Sequence, residues 1–141
     1  MYATMTSPSQ TYARVGIETG VMSANPHKLI LMLLDGALVS IASAIHALQE
    51  KDIAAKGESV SKAIDIVANG LKASLDFNAD SELAPRLAAL YDYICDRLLY
   101  ANLRNDRAAL DECARLIGEI KGAWEEIADD PAAVSASKRA A

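Results

Sequence analysis

The stretch Leu110-Asp111-Glu112-Cys113-Ala114-Arg115-Leu116-Ile117-Gly118-Glu119-Ile120-Lys121-Gly122-Ala123-Trp124-Glu125-Glu126-Ile127 decides the fold. Leu110, Cys113, Ile117, Ile120, Trp124 and Ile127 recur in steps of three and four without a slip. An α-helix turns once every 3.6 residues, so this spacing gathers the six onto one face and predicts an amphipathic helix.

The same period runs backward through the chain. Before the short polar connection Asn102–Asp106, the stripe Leu83, Leu87, Leu90, Ile94, Leu98 and Ala101 predicts a third helix, with Ser81 as its cap and Pro85 in the tolerant first turn. Val60, Ile64, Val67, Leu71 and Leu75 predict a second helix ending near Leu75, where Asp76–Asp80 reads as a turn. A first helix starts at Asn25-Pro26, the amide able to cap and the proline placed where a missing N–H is harmless. Its stripe is Ile30, Leu34, Ala37, Ile41, Ile45 and Leu48, and Gln49–Asp52 ends it.

Four amphipathic segments joined by short connections fold as antiparallel neighbours, so the expected class is all-α, an up-down four-helix bundle over residues 25–127. Residues 1–24 read as a partly helical N-terminal arm, with Tyr12, Val15, Val21 and Met22 apolar but Gly16 and Gly20 weakening the helix. Residues 128–141, broken by Asp129-Asp130-Pro131 and rich in Ala and Ser, show no buried stripe and read as a disordered tail.

Composition narrows the function. The 141 residues suffice for one domain, and 52% are hydrophobic against 5% aromatic, which suits helix-on-helix packing. A net charge of -5 argues against nucleic acid, whose backbone needs a clustered basic face. Cys95 and Cys113 are far apart and both read as reduced core thiols. Met1–Gln10 has no leader pattern, and the longest unbroken apolar run, Leu29–Leu34, is too short for a bilayer, so the expectation is a cytosolic protein without membrane insertion.

No enzyme signature stands out. His27 and His46 lie about five turns apart on the first helix and cannot share a site. The carboxylates, Glu125-Glu126 among them, lack the Glu-x-x-His spacing of di-iron bundles, and neither a phosphate loop nor a nucleophile elbow is present. The expectation is therefore no catalysis, no metal and no cofactor.

The informative feature is surplus apolar residues. Leu29-Ile30-Leu31-Met32-Leu33-Leu34 is greasy nearly all round. Either this helix is central or covered by the N-terminal arm, or the cover is removable and the surface beneath is a groove for amphipathic partner helices. On the third helix, Tyr93 and Tyr100 lie two turns apart off the leucine stripe and Tyr91 borders it, which fits either an interface or ordinary boundary positions.

Several runs in order resemble one family: Tyr12-Ala13-Arg14-Val15; Asn25-Pro26-His27-Lys28-Leu29-Ile30-Leu31-Met32-Leu33 with Asp35-Gly36-Ala37; Lys62-Ala63-Ile64-Asp65-Ile66 with Asn69-Gly70-Leu71; Leu90-Tyr91-Asp92-Tyr93-Ile94; Leu98–Asp106; and Ala123-Trp124. Over residues 12–127 the chain resembles the flagellar secretion chaperones, the FliS family. The resemblance implies an antiparallel four-helix bundle that binds the C-terminal helical segment of flagellin, prevents early polymerisation and presents it to the flagellar type III export gate. A flagellar anti-sigma factor is a further candidate partner. It also implies that the segment around Tyr12 and Val15 acts as a lid, and the partner-binding set expected is Tyr12, Val15, Ile66, Tyr91, Tyr93, Leu98, Tyr100 and Leu103. The competing expectation is a self-associating regulatory or structural module with no flagellin client.

Overall fold

A computed structural model describes residues 25–78 and 81–127, so the expected arm and tail lie outside the described residues. Four helices follow one another: α1 Pro26–Gln49, α2 Ile53–Asp65, α3 Leu83–Arg104 and α4 Arg107–Glu126. A side-chain oxygen opens each one. Asn25 accepts the Lys28 N–H at 2.8 Å, Asp52 that of Ala55 at 3.1 Å, Ser81 that of Leu83 at 3.0 Å, and Asp106 that of Ala109 at 3.2 Å. Each bond satisfies a donor that the helix geometry orphans in its first turn.

The helices form the expected all-α bundle. Neighbours run α1–α2, α2–α3, α3–α4 and α4–α1, leaving α1/α3 and α2/α4 as diagonals. Their antiparallel sense is visible in pairs that join one helix's start to another's end. His27 lies against Trp124, and the Lys56 ammonium donates to the Asn102 carbonyl at 2.8 Å and to the Asn105 side chain. Leu34, Ile41, Val60, Val67, Leu71, Ile94, Leu98, Leu110, Cys113 and Ile117 fill the centre. Burial pushes the Cys113 thiol up to about 12 and the Cys95 thiol up to about 11, so both stay protonated at neutral pH.

Three details depart from the periodicity. The α3–α4 connection is not Asn102–Asp106 but Asn105 and Asp106 alone. Asn105 takes the left-handed conformation at φ 51°, which asparagine tolerates, and the Asp106 N–H closes on the Ala101 carbonyl at 3.0 Å. The second helix does not run smoothly to Leu75: it passes through a π turn at Ile66–Leu71 and a 3-10 turn at Lys72–Ser74. Third, the front half of α3 buries Ala84, Ala88 and Tyr91, while Leu83 is 47% exposed and Leu87 and Leu90 are only half-buried.

By length and composition α1 could cross a membrane, a property that the count of unbroken apolar residues missed. In the bundle its Leu34, Ala37, Ile41 and Ala44 stripe is sealed against the core. Leu29 through Leu33 remain half-buried, more apolar surface than one stripe needs.

Candidate functional site

The α3–α4 pair is closed at one end and open at the other. Near the Asn105–Asp106 turn, Glu112 of α4 accepts the Tyr93 hydroxyl at 2.6 Å and the Arg97 Nε–H at 2.8 Å, and the Arg97 guanidinium lies 4.8 Å from the centre of the Tyr100 ring. Beneath this bridge the Cys113 thiol contacts the Ile94 carbonyl at 3.7 Å. Hydrogen bonds from Tyr93 and then Arg97 hold the Glu112 carboxyl below its ordinary value, and the same carboxylate raises Tyr93 and Arg97.

One to three turns away the seam parts into an apolar groove of about 420 Å³. Leu83, Leu87 and Leu90 form the α3 wall and Leu116, Ile120, Trp124 and Ile127 the α4 wall, with Ile30, Leu71 and Leu75 beneath. The local sequence explains the gap. Ala84 and Ala88, in register with Tyr91, present small side chains at the buried positions, which lets α3 lie close to the core while its leucines face sideways. Between those leucines and the α4 side chains the space stays open.

The far end of the groove is fixed by aromatic contact. The His27 and Trp124 rings stack at 5.2 Å and 9°, and the Trp124 indole N–H donates to the His27 carbonyl at 3.2 Å. Tyr91 contributes one edge of the groove, and burial pushes its phenol up to about 12, so it never ionises under ordinary conditions. A second hollow of about 550 Å³ between the end of α1 and the start of α2 is lined by Ala42, Ser43, His46, Ala47, Glu50, Asp52 and Ser59 among others. Val39 and three alanines share its lining with His46, Glu50, Asp52 and two serines, so it is less uniformly apolar than the groove. Among the described residues, no group of three or more His, Cys, Asp or Glu is placed to hold a metal ion.

The residues expected at the site separate into three sets. Tyr12 and Val15 lie outside the described residues. Ile66 and Leu98, at 4% and 0% exposure, are core residues and present no surface in the free chain; of the buried positions only Tyr91 reaches the groove. Tyr93, Tyr100 and Leu103 are exposed on α3 and not among the groove residues, with Tyr93 and Tyr100 taking part in the closed bridge. The groove's own walls were assigned to the core by periodicity. The signal that marks them is the doubled stripe on α3, where Ala84, Ala88 and Tyr91 already supply a buried face beside Leu83, Leu87 and Leu90.

Residues 8–131 match the family model described as flagellar protein FliS. The chain belongs to the FliS family. The flagellar secretion chaperone FliS of Salmonella typhimurium is 50% identical over 118 residues, 84% of this chain and 87% of that protein. The FliS of Escherichia coli is 46% identical over the same shares, and that of Bacillus subtilis 32% over 109 residues, 77% of this chain and 80% of that protein. In this FliS-family chain the matched region contains both the groove and the closed bridge.

Proposed function

We propose that this protein is a cytosolic flagellar export chaperone whose groove between α3 and α4 receives the C-terminal helical segment of flagellin. The observation that carries the reading is the unfilled apolar groove, with leucine walls on two helices and Trp124 at its end, in a chain whose relatives are named flagellar secretion chaperones. From Leu83 to Tyr91 the α3 wall is about 12 Å long at the rise of an α-helix, room for about two turns of a partner helix.

Function on this reading requires no chemical step and no cofactor. An amphipathic segment that has no partner before filament assembly is an aggregation hazard, and burying its apolar face against Leu87, Leu90 and Ile120 supplies a substitute partner. Ordering the segment consumes part of that gain, about 2–5 kcal/mol, which keeps the client releasable to the export gate.

Tyr12 and Val15 belong to the proposal as a lid. Its support is the chain's entry point: α1 begins beside the groove, with His27 stacked on groove residue Trp124. Displacing such a lid lowers client affinity by whatever the lid contributes when docked. Ile66 and Leu98 back the site from within, and Tyr93, Tyr100 and Leu103 are offered to client chain leaving the groove along α3. The test is co-elution in size-exclusion chromatography. A 1:1 complex with the flagellin C-terminal segment is expected, and flagellin that still binds after losing that segment would refute the assignment.

A further inference from the structure

The groove is almost uniformly apolar, and its polar exceptions are Ser74 and Glu119. The Ser74 hydroxyl is already committed to the Gly70 carbonyl at 2.5 Å. Glu119 is different: it is the only charged side chain lining the groove among the described residues, and it stands on the α4 wall beside Ile120.

Its internal partner holds it loosely. Arg115 contacts one Glu119 oxygen at 3.0 Å, one turn back on the same helix, with both side chains largely in water. Exposed pairs of this spacing contribute little and exchange readily. Arg86 pairs with Glu82 at 2.7 Å and Lys121 with Asp35 at 2.6 Å, and none of these four lines the slot.

Resting on the groove reading above, we propose that Glu119 selects the client by pairing with a lysine or arginine at the border of the bound helix's apolar stripe. An incoming helix displaces water from the leucine walls and lowers the local dielectric around the carboxylate. A cation at that border is then attracted more strongly than in open solvent. A neutral or acidic residue there leaves the carboxylate partly desolvated without a partner, so such a helix is rejected. The apolar walls supply affinity and Glu119 supplies discrimination and register.

The test titrates the flagellin C-terminal segment into wild type, Glu119→Gln, Glu119→Lys and Leu87→Asp by calorimetry, with each Lys and Arg of the segment replaced by Gln in turn. Glu119→Gln is expected to weaken binding about 5-fold and Glu119→Lys about 20-fold, with unchanged melting temperatures because the side chain is exposed. One segment cation should lose the same factor against wild type and nothing against Glu119→Gln. If Leu87→Asp abolishes binding while Glu119→Gln binds like wild type, or no segment cation couples to Glu119, the selection role is wrong and the groove reading survives. If wild type ignores the segment, or Leu87→Asp binds it unimpaired, the groove reading fails and this role falls with it.

Discussion

The two halves of the α3–α4 seam are made of the same kinds of residues and behave differently. At the closed half, Ile94 and Leu98 face Leu110, Cys113 and Ile117, all fully buried under the Tyr93–Glu112–Arg97 bridge. At the open half, Leu83, Leu87 and Leu90 look toward Leu116, Ile120 and Trp124 across a groove. Both sets are apolar, so hydrophobicity alone does not distinguish them. The distinction is what stands one position away on α3: Ala84 and Ala88 take over the buried face, and the leucines are left lining open space.

The comparison is broken most severely by truncating a leucine in each half. Leu98→Ala should destabilise the fold by about 2–5 kcal/mol in urea denaturation, since it hollows a sealed core. Leu87→Ala, at a half-buried side chain already beside open space, should cost under about 1.5 kcal/mol. Equal losses would mean that the groove is filled in the free protein. The converse holds for binding. Leu87→Asp should lower affinity for the flagellin segment about 100-fold while the melting temperature moves little.

A smaller effect sharpens the closed half. Lys56 is 4% exposed and ties the start of α2 to the end of α3 through Asn102 and Asn105. Lys56→Met leaves the helix-terminal carbonyl unpaired and should cost about 1–3 kcal/mol in stability. Client affinity should be unchanged, because the loss falls at the wrong end of the seam.

The smallest effect concerns pH. The Glu112 carboxyl is held below its ordinary value in the folded state, so its stabilisation is present above the unfolded carboxylate range and is lost as pH falls through the folded-state value. Tyr93→Phe removes the larger cause and brings that value back toward the ordinary one. Urea midpoints measured from pH 7 to pH 3 should therefore fall by less in the variant, which starts lower, with the fall beginning in the same carboxylate range.

Much of this architecture was legible from periodicity. The Leu110–Ile127 stripe and the Asn25-Pro26 start correspond to observed features, while Ser81 accepts the Leu83 N–H from one position before the N-cap, which is Glu82. Periodicity identifies an apolar face but says nothing of whether another helix fills it, and the groove lies in that gap. Leu83, Leu87 and Leu90 satisfy the helical period as well as Leu98 does, so the pattern alone assigns them to the core. Tyr93 and Tyr100 lie off the stripe, which suits a groove edge, yet they stand on the closed bridge that ends the groove. The π turn at Ile66–Leu71 left no trace in the pattern, because Val67, Leu71 and Leu75 keep a spacing of four through it.

Hydrogen exchange of the protein, free and with the flagellin C-terminal segment, tests the central claim most directly. Amides of Leu83–Leu90 and Leu116–Trp124 are expected to slow on binding, while those around Leu98 and Leu110 stay as they were. Protection confined to the outer face of α3 at Tyr100 and Leu103, with the groove walls unaltered, would contradict it.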